Sequence, residues 1–277
     1  MSKTWFITGI NSGLGREMAT RVLEKGDRVA GTVRKDGAVD DLKTRFPETL
    51  WVANLDLTDF TAIDGCVKAA FEKFDRIDVI VNNAGYGLFG AAEGLTTEQI
   101  RHQIDTNLVG PIEFTKAAIP YLRGQGGGRI IAISTYGGQA THPGASLYHA
   151  SKWGIEGFFE SLAQELAPFQ IGVTIVEPGS ARTAFREAAA ASAGSAPDAY
   201  SGTPVGMVKA FLSDTSRMPI GDPAKIATAV IESAERSPAP RRLVLGSDAF
   251  SAIEKALAAR TEELEASRSI APTTDHA

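Results

Sequence analysis

The stretch Thr4-Trp5-Phe6-Ile7-Thr8-Gly9-Ile10-Asn11-Ser12-Gly13-Leu14-Gly15 decides the architecture. Thr4–Thr8 reads as a buried strand. Leu14–Lys25 reads as a helix, with apolar Leu14, Met18, Val22 and Leu23 near helical spacing and Gly26 as its stop. Between them, Gly9, Gly13 and Gly15 permit a tight turn and let backbone approach a pyrophosphate. The helix N-terminus adds free N–H groups and a positive dipole end. Three glycines alone are a weak signal; their place between the first strand and the first helix makes it strong. The competing explanation is a tight turn that only packs helix on strand.

Working outward, the alternation continues. Arg28–Val33, Leu50–Asn54, Asp78–Asn82, Arg129–Ser134, Gly172–Val176 and Leu243–Leu245 read as strands. Phe60–Phe74, Thr97–Arg123 and Tyr148–Phe169 read as helices, the second broken near Asn107–Pro111. Strands separated by helices of this length imply parallel pairing with right-handed crossovers. The expected fold is α/β, a doubly wound parallel sheet in three αβα layers. Residues 184–222 interrupt the pattern and are rich in Ala, Ser, Gly and Pro, with scattered apolar residues. A long insertion after a strand in one compact domain is expected to be a functional lid. Residues 1–266 are expected to form a single domain and 267–277 a frayed, disordered tail.

Composition narrows the function classes. Of 277 residues, 43% are apolar and 22% charged, and the net charge is −5, which argues against binding nucleic acid by bulk electrostatics. Cys66 is the one cysteine, so no intramolecular disulfide forms. The longest apolar runs are strand length, well short of the roughly 20 residues of a spanning helix. No membrane association and a cytoplasmic location are expected. Glycine is in excess, with 28 residues.

Two further features carry chemistry. The second strand ends at Val33-Arg34-Lys35. An acid there would take the ribose 2′-hydroxyl of NAD; Arg34 suits a 2′-phosphate, so NADP is the expected cofactor over NAD. A solvated loop arginine is the plainer alternative. Tyr148-His149-Ala150-Ser151-Lys152 begins a helix, and the spacing of four puts Tyr148 and Lys152 on one face. A neighbouring ammonium favours the phenolate, so the tyrosine can exchange a proton near working pH. Such a pair is common on surfaces. It gains weight from lying downstream of a dinucleotide cradle, at the C-terminal end of a parallel strand.

With Thr8–Gly15, Asp56-Leu57, Asn82-Asn83-Ala84-Gly85, Asn107, Tyr148 with Lys152, and Pro178-Gly179 with Thr183 in this order, the chain resembles the short-chain dehydrogenases/reductases over roughly residues 3–183. From Asn82 to Phe185 it looks most like the branch holding 17β-hydroxysteroid and retinol-type dehydrogenases. The resemblance implies a Rossmann fold and roles for individual residues. Tyr148 would give a proton to, or take one from, the reacting oxygen. Lys152 would bond the nicotinamide ribose and lower the tyrosine's pKa. Asn107 would hold a water linking the lysine to solvent, which accounts for the break in the helix. Asn11, Ser12 and Leu14 belong to the glycine cradle. Asp56 and Leu57 would lie at the adenine, and Asn83, Ala84 and Gly85 at the adenosine ribose. Pro178, Gly179, Ala181 and Thr183 would hold the carboxamide end. A homodimer or homotetramer is implied, through the helices starting near Thr97 and Tyr148.

One departure from the family pattern matters. A serine is usual 13 residues before the tyrosine; here that position is Thr135, with Ser134 just before it. Threonine keeps the hydroxyl, but its methyl stiffens χ1 and takes space. Thr135 is expected to do the serine's work, with Ser134 pointing to the other face of the strand. Other candidates have plainer explanations. His149 is offset on the helix and reads as a pocket wall or surface residue. His102, His142 and His276 show no metal-ligand spacing, so no metal is expected. Residues 144–148 lack the final glycine of a hydrolase elbow. Trp153, Phe158 and Phe159 read as core or subunit contacts, and Cys66 as a small buried hydrophobe. Leu88, Phe89, Tyr136, His142 and Phe185 are candidates for the substrate pocket. The expected activity is hydride transfer between NADP(H) and a ketone or secondary alcohol, apolar in character. A non-catalytic NADP-binding regulator and a tyrosine-dependent epimerase or dehydratase stay open on the same scaffold.

Overall fold

Strand β1 (Thr4–Ile7) is buried at every position, as a strand covered on both faces must be. Its side chains divide by alternation: Phe6 joins one apolar layer, while Trp5 and Ile7 join the other. The computed structural model describes residues 2–216 and 218–276. Within them β1 shares one sheet with β2 (Arg28–Val33), β3 (Leu50–Asn54), β4 (Val79–Asn82), β5 (Gly128–Ile133), β6 (Ile171–Pro178) and β7 (Arg242–Leu245). The seven strands pair in parallel, in the order β3-β2-β1-β4-β5-β6-β7.

The helices are α1 (Gly13–Glu24), α2 (Asp40–Arg45), α3 (Phe60–Phe74), α4 (Thr97–Ile104), α5 (Gly110–Gly124), α6 (Ser146–Leu166), α7 (Phe185–Ser192), α8 (Val208–Ser213), α9 (Pro223–Ser233) and α10 (Ser247–Ala266). Helices α3, α5 and α6 bury Phe71, Phe114 and Phe159 on one face of the sheet. Helices α1 and α9 bury Met18, Val22 and Val230 on the other. The strand order reverses between β1 and β4, so the crevice beyond their carboxyl ends is where such a sheet takes a ligand.

The expected break in the long helix is a change of winding. Asp105–Val109 is π-helical and joins α4 to α5, with Asn107 buried on it. Gly110 follows, pressed against Leu57 so closely that a Cβ would clash. The insertion at 184–222 is not plain coil, because it contains α7 and α8. Its neck is pinned where Gly221 N donates to Ser180 O (2.9 Å) and Arg182 N donates to Gly221 O (3.0 Å). The C-terminal stretch departs from expectation: Ala271–Thr274 forms a 3-10 turn held by its own hydroxyl-to-carbonyl bonds, though it is wholly exposed. Among the described residues no helix is long and apolar enough to cross a membrane.

Candidate active site

The glycine turn is held from below. The Thr8 hydroxyl accepts from Asn83 N and Ala84 N, both at 3.0 Å. Asn83 Nδ2 donates to Thr8 O (2.8 Å) and Gly9 O (3.2 Å). Asn83 is therefore a brace between the ends of β1 and β4. Gly9 has φ +71°, and its Cβ would lie 3.1 Å from Ala84, so only glycine suits it. A Cβ at Gly15 would collide with Gly9 O and Asn83 Nδ2. No side chain caps α1, its first turn carries no acid, and Ser12 is extended at its N-cap. This arrangement fits an anionic dinucleotide: open backbone, free helix amides and no competing carboxylate.

One end of the crevice lies past β2 and β3. Arg34 is exposed at the end of β2 and acts electrostatically on both Asp56 and Tyr86. Asp56 Oδ1 accepts from Thr58 N (2.9 Å) and Thr58 Oγ1 (2.8 Å). Burial works to raise its proton affinity, but these two bonds, Arg34 and His102 leave it below the usual carboxylate value. Leu57 beside it is buried.

The second cluster gathers at the ends of β4, β5 and β6. Lys152 Nζ donates to Ile133 O (2.9 Å) and lies 5.9 Å from the centre of the Tyr148 ring. A Cβ on Gly85 would stand 3.1 Å from Asn107 Oδ1 and 3.9 Å from Lys152 Nζ, so these three residues converge. The Asn107 amide is fixed by Tyr86: its Oδ1 accepts from Tyr86 N (3.0 Å) and its Nδ2 donates to Tyr86 O (2.7 Å). Thr135 Oγ1 donates to Pro178 O (3.2 Å) and its side chain is hydrogen-bonded to Tyr148. Ser134 faces away, its hydroxyl donating to Glu156 Oε1 (2.6 Å).

On the far side, Gly179 N donates to Leu245 O (2.8 Å), and Ala181 bridges to Gly221. Thr183 turns back so that its Cβ would stand 3.6 Å from a Cβ on Gly13. The cradle and the segment that follows β6 thus meet across one crevice.

The electrostatics correct one expectation. Burial raises the Tyr148 phenol well above its ordinary range, Tyr136 adds to this, and the Thr135 bond opposes it. Lys152 is itself pushed down to about 8 by burial, with Glu156 acting to raise it. Desolvation is the largest influence on Tyr148, and side chains of the insertion pack against it. Tyr148 is 8% exposed and clusters with Phe89, Ala145 and Ala189, with Val208 and Leu212 packed against them. Phe89 and Phe185 stand 5.3 and 5.8 Å from the Tyr148 ring centre, and Phe89 and Tyr136 flank His142. Leu88 is buried and its N–H donates to Gln103.

His149 is more deeply buried than its offset on the helix implied, and neither ring nitrogen has a hydrogen-bond partner among the described residues. Its ring lies edge-on to His142, 4.5 Å away, beside a cleft of about 480 Å³ that Trp153 also lines. Two groups went unread in the sequence. One is Asp248 on α10, which accepts from Ser180 N and Oγ. The other is the carboxylate pair Glu156 and Glu177 on Arg242. Only topology brings these together, and a lone charge in a sequence does not announce it.

A braced glycine cradle at the switch point of a parallel sheet, facing a tyrosine and a lysine, defines a dinucleotide-binding oxidoreductase. The family model for short chain dehydrogenase matches residues 3–193, and the chain belongs to the short-chain dehydrogenase/reductase family, whose members bind NAD(P). It is 38% identical to oxidoreductase BOA17 of Botryotinia fuckeliana over 260 residues, covering 92% of this chain and 93% of that one. It is 36% identical to human retinol dehydrogenase 8 over 190 residues, covering 66% of this chain and 60% of that one. The crystal structure of a short-chain dehydrogenase from Streptomyces avermitilis superposes with a TM-score of 0.89 at 36% identity, covering 99% and 98% of the two chains.

Proposed function

We propose that the chain transfers a hydride between NADP(H) and a ketone or secondary alcohol, with Tyr148 as the general acid/base. The observation that supports this most is the convergence of Thr135, Tyr148 and Lys152 on the crevice that the glycine cradle opens. The cofactor, when bound, supplies or accepts the hydride. Residues 9–15 would hold its phosphates, Arg34 its 2′-phosphate, Asp56 and Leu57 the adenine. Asn83 to Gly85 would line the adenosine ribose, and Pro178, Gly179, Ala181 and Thr183 would fix the nicotinamide half. Tyr148 Oη holds the proton that goes to the carbonyl oxygen, and in the other direction receives it from the alcohol. Thr135 Oγ1, fixed between Tyr148 and Pro178, orients the same oxygen. Lys152 supplies the charge that makes a phenolate tolerable once ribose and substrate have reordered the site.

The lid of residues 184–222 covers Tyr148 with apolar side chains, which excludes water and favours an apolar substrate. The likeness to retinol dehydrogenase 8 supports the same substrate class. The working form is a cytoplasmic homodimer or homotetramer. A panel of apolar ketones and alcohols, followed by nicotinamide absorbance, tests the reading. Tyr148→Phe is expected to lower kcat by about 100-fold or more while the protein still binds NADPH. Turnover without net absorbance change would replace this reading with epimerase or dehydratase chemistry. NADPH binding without turnover on any substrate would leave the regulator.

A further inference from the structure

Glu156 and Glu177 are both buried, at 3% and 0% exposure. A buried carboxylate is tolerated only when paired and hydrogen-bonded. Arg242, on β7, serves both. Its Nη1 bonds Glu156 Oε2 (2.5 Å) and Glu177 Oε1, and its Nε bonds Glu160 Oε1 (2.9 Å). Gln139 Nε2 also donates to Glu177 Oε1 (2.5 Å). Each carboxylate sits next to a part of the site. Glu156 is one helical turn beyond Lys152 on α6 and accepts from Ser134, the neighbour of Thr135. Glu177 immediately precedes Pro178-Gly179 on β6.

We propose that Glu156, Arg242 and Glu177 form a buried positioning unit of the site: Glu156 is the anionic group that positions Lys152 one helical turn before it, and Arg242 ties that helix to the strand that ends in the Pro178-Gly179 turn. None of the three touches substrate. The mechanical part follows from the bonds, which join α6, β5, β6 and β7 behind the crevice. The electrostatic part follows from spacing. Lys152 is buried and is faced by Tyr148 and Glu156 on its own helix; among the described residues it meets the Ile133 carbonyl from β5, and Gly85 and Asn107 from beyond β4. Glu156 is therefore its anionic neighbour, and it acts to raise the lysine's proton affinity against burial. Glu156 faces Lys152 and Glu160 on α6, Ser134 just past β5, Glu177 on β6 and Arg242 on β7. Burial raises its own proton affinity, Glu177 adds to this, and Ser134 and Arg242 oppose it.

The test measures Lys152 directly, without a substrate. The protein is labelled with ¹³Cε-lysine and titrated by NMR, with the Lys152 resonance assigned by its loss in Lys152→Arg. In Glu156→Gln the lysine is expected to titrate roughly half a unit to one unit lower than in the unmodified protein. Glu156→Asp keeps the charge balance on Arg242 but draws the carboxylate back by one methylene. Its shift should be in the same direction and smaller. NADPH affinity, which rests on the functional reading above, should weaken at correspondingly lower pH. Unchanged Lys152 titration in the folded variants, with only a fall in Tm, overturns the proposal and leaves the unit as structural support. Failure of the unmodified protein to bind NADPH would count against the functional reading and leave the lysine titration as the judge of this one.

Discussion

At the residue scale, the decisive positions are those where one atom more or less changes the chemistry. Thr135 and Ser134 are neighbours with the same functional group, yet strand alternation sends one hydroxyl to Tyr148 and Pro178 and the other to Glu156. That division was legible from a count of residues and the period of a strand. Arg34 was legible in the same way, as a basic residue at the end of β2. Its charge reaches Asp56 and Tyr86, which follow β3 and β4, so it stands beside the crevice and not on a remote loop. Arg34→Ala should lower kcat/KM for NADPH by about 10- to 100-fold, the worth of a charge-assisted contact to phosphate, and lower it much less for NADH. The ratio of the two constants before and after substitution is the measurement. A ratio already favouring NADH in the unmodified protein would remove the NADP preference.

At the element scale, the C-terminal segment does more than its sequence advertised. Helix α10 contains few buried residues, and its apolar positions are spread around it, so no amphipathic signal marks it. Its first turn nevertheless reaches the crevice. Asp248 Oδ2 accepts from Ser180 N (2.8 Å) and Ser180 Oγ (2.7 Å), and its other oxygen packs against Gly179 so closely that a Cβ there would clash. Further along, Arg260 lies 4.9 Å over the Trp153 ring, which is how a tryptophan 41% exposed on α6 is partly covered. Asp248→Ala leaves the donors of Ser180 without that acceptor. It is expected to cost about 0.5–1.5 kcal/mol of stability, seen as a lower Tm, and to raise the cofactor KM more than it lowers kcat. An unchanged cofactor KM would confine Asp248 to holding α10.

At the scale of the whole molecule, the balance is between burial and charge. Desolvation is the largest influence on Tyr148, His149 and Lys152 alike, because sheet, α6 and the insertion enclose all three. His149 shows the consequence for stability. Burial, with His142 adding to it, lowers its pKa from 6.5 to about 4. A base whose folded pKa is depressed takes up its proton first in the unfolded chain. Stability from this group is complete above about 6.5 and falls as the pH drops from there to about 4, by a total on the order of 3 kcal/mol. Urea unfolding across that range should show the slope, and His149→Leu should flatten it. An equal slope in the variant would assign the loss to other groups.

The sequence by itself determined the α/β alternation, the parallel sheet, the glycine cradle and the positions of Tyr148, Lys152, Asn107 and Thr135, because each depends on local period or short spacing. Residues four apart on a helix, or one apart on a strand, have a geometry that the backbone dictates. Tertiary structure alone decided the rest. It brought Arg242 and Asp248 from the end of the chain to the back of the site, wound Asp105–Val109 into a π-helix, and folded α7 and α8 over the tyrosine. It also reversed the expected direction of the tyrosine's proton affinity. Those outcomes depend on which distant surfaces exclude water from one another, and burial of that kind has no signature in the order of neighbouring residues.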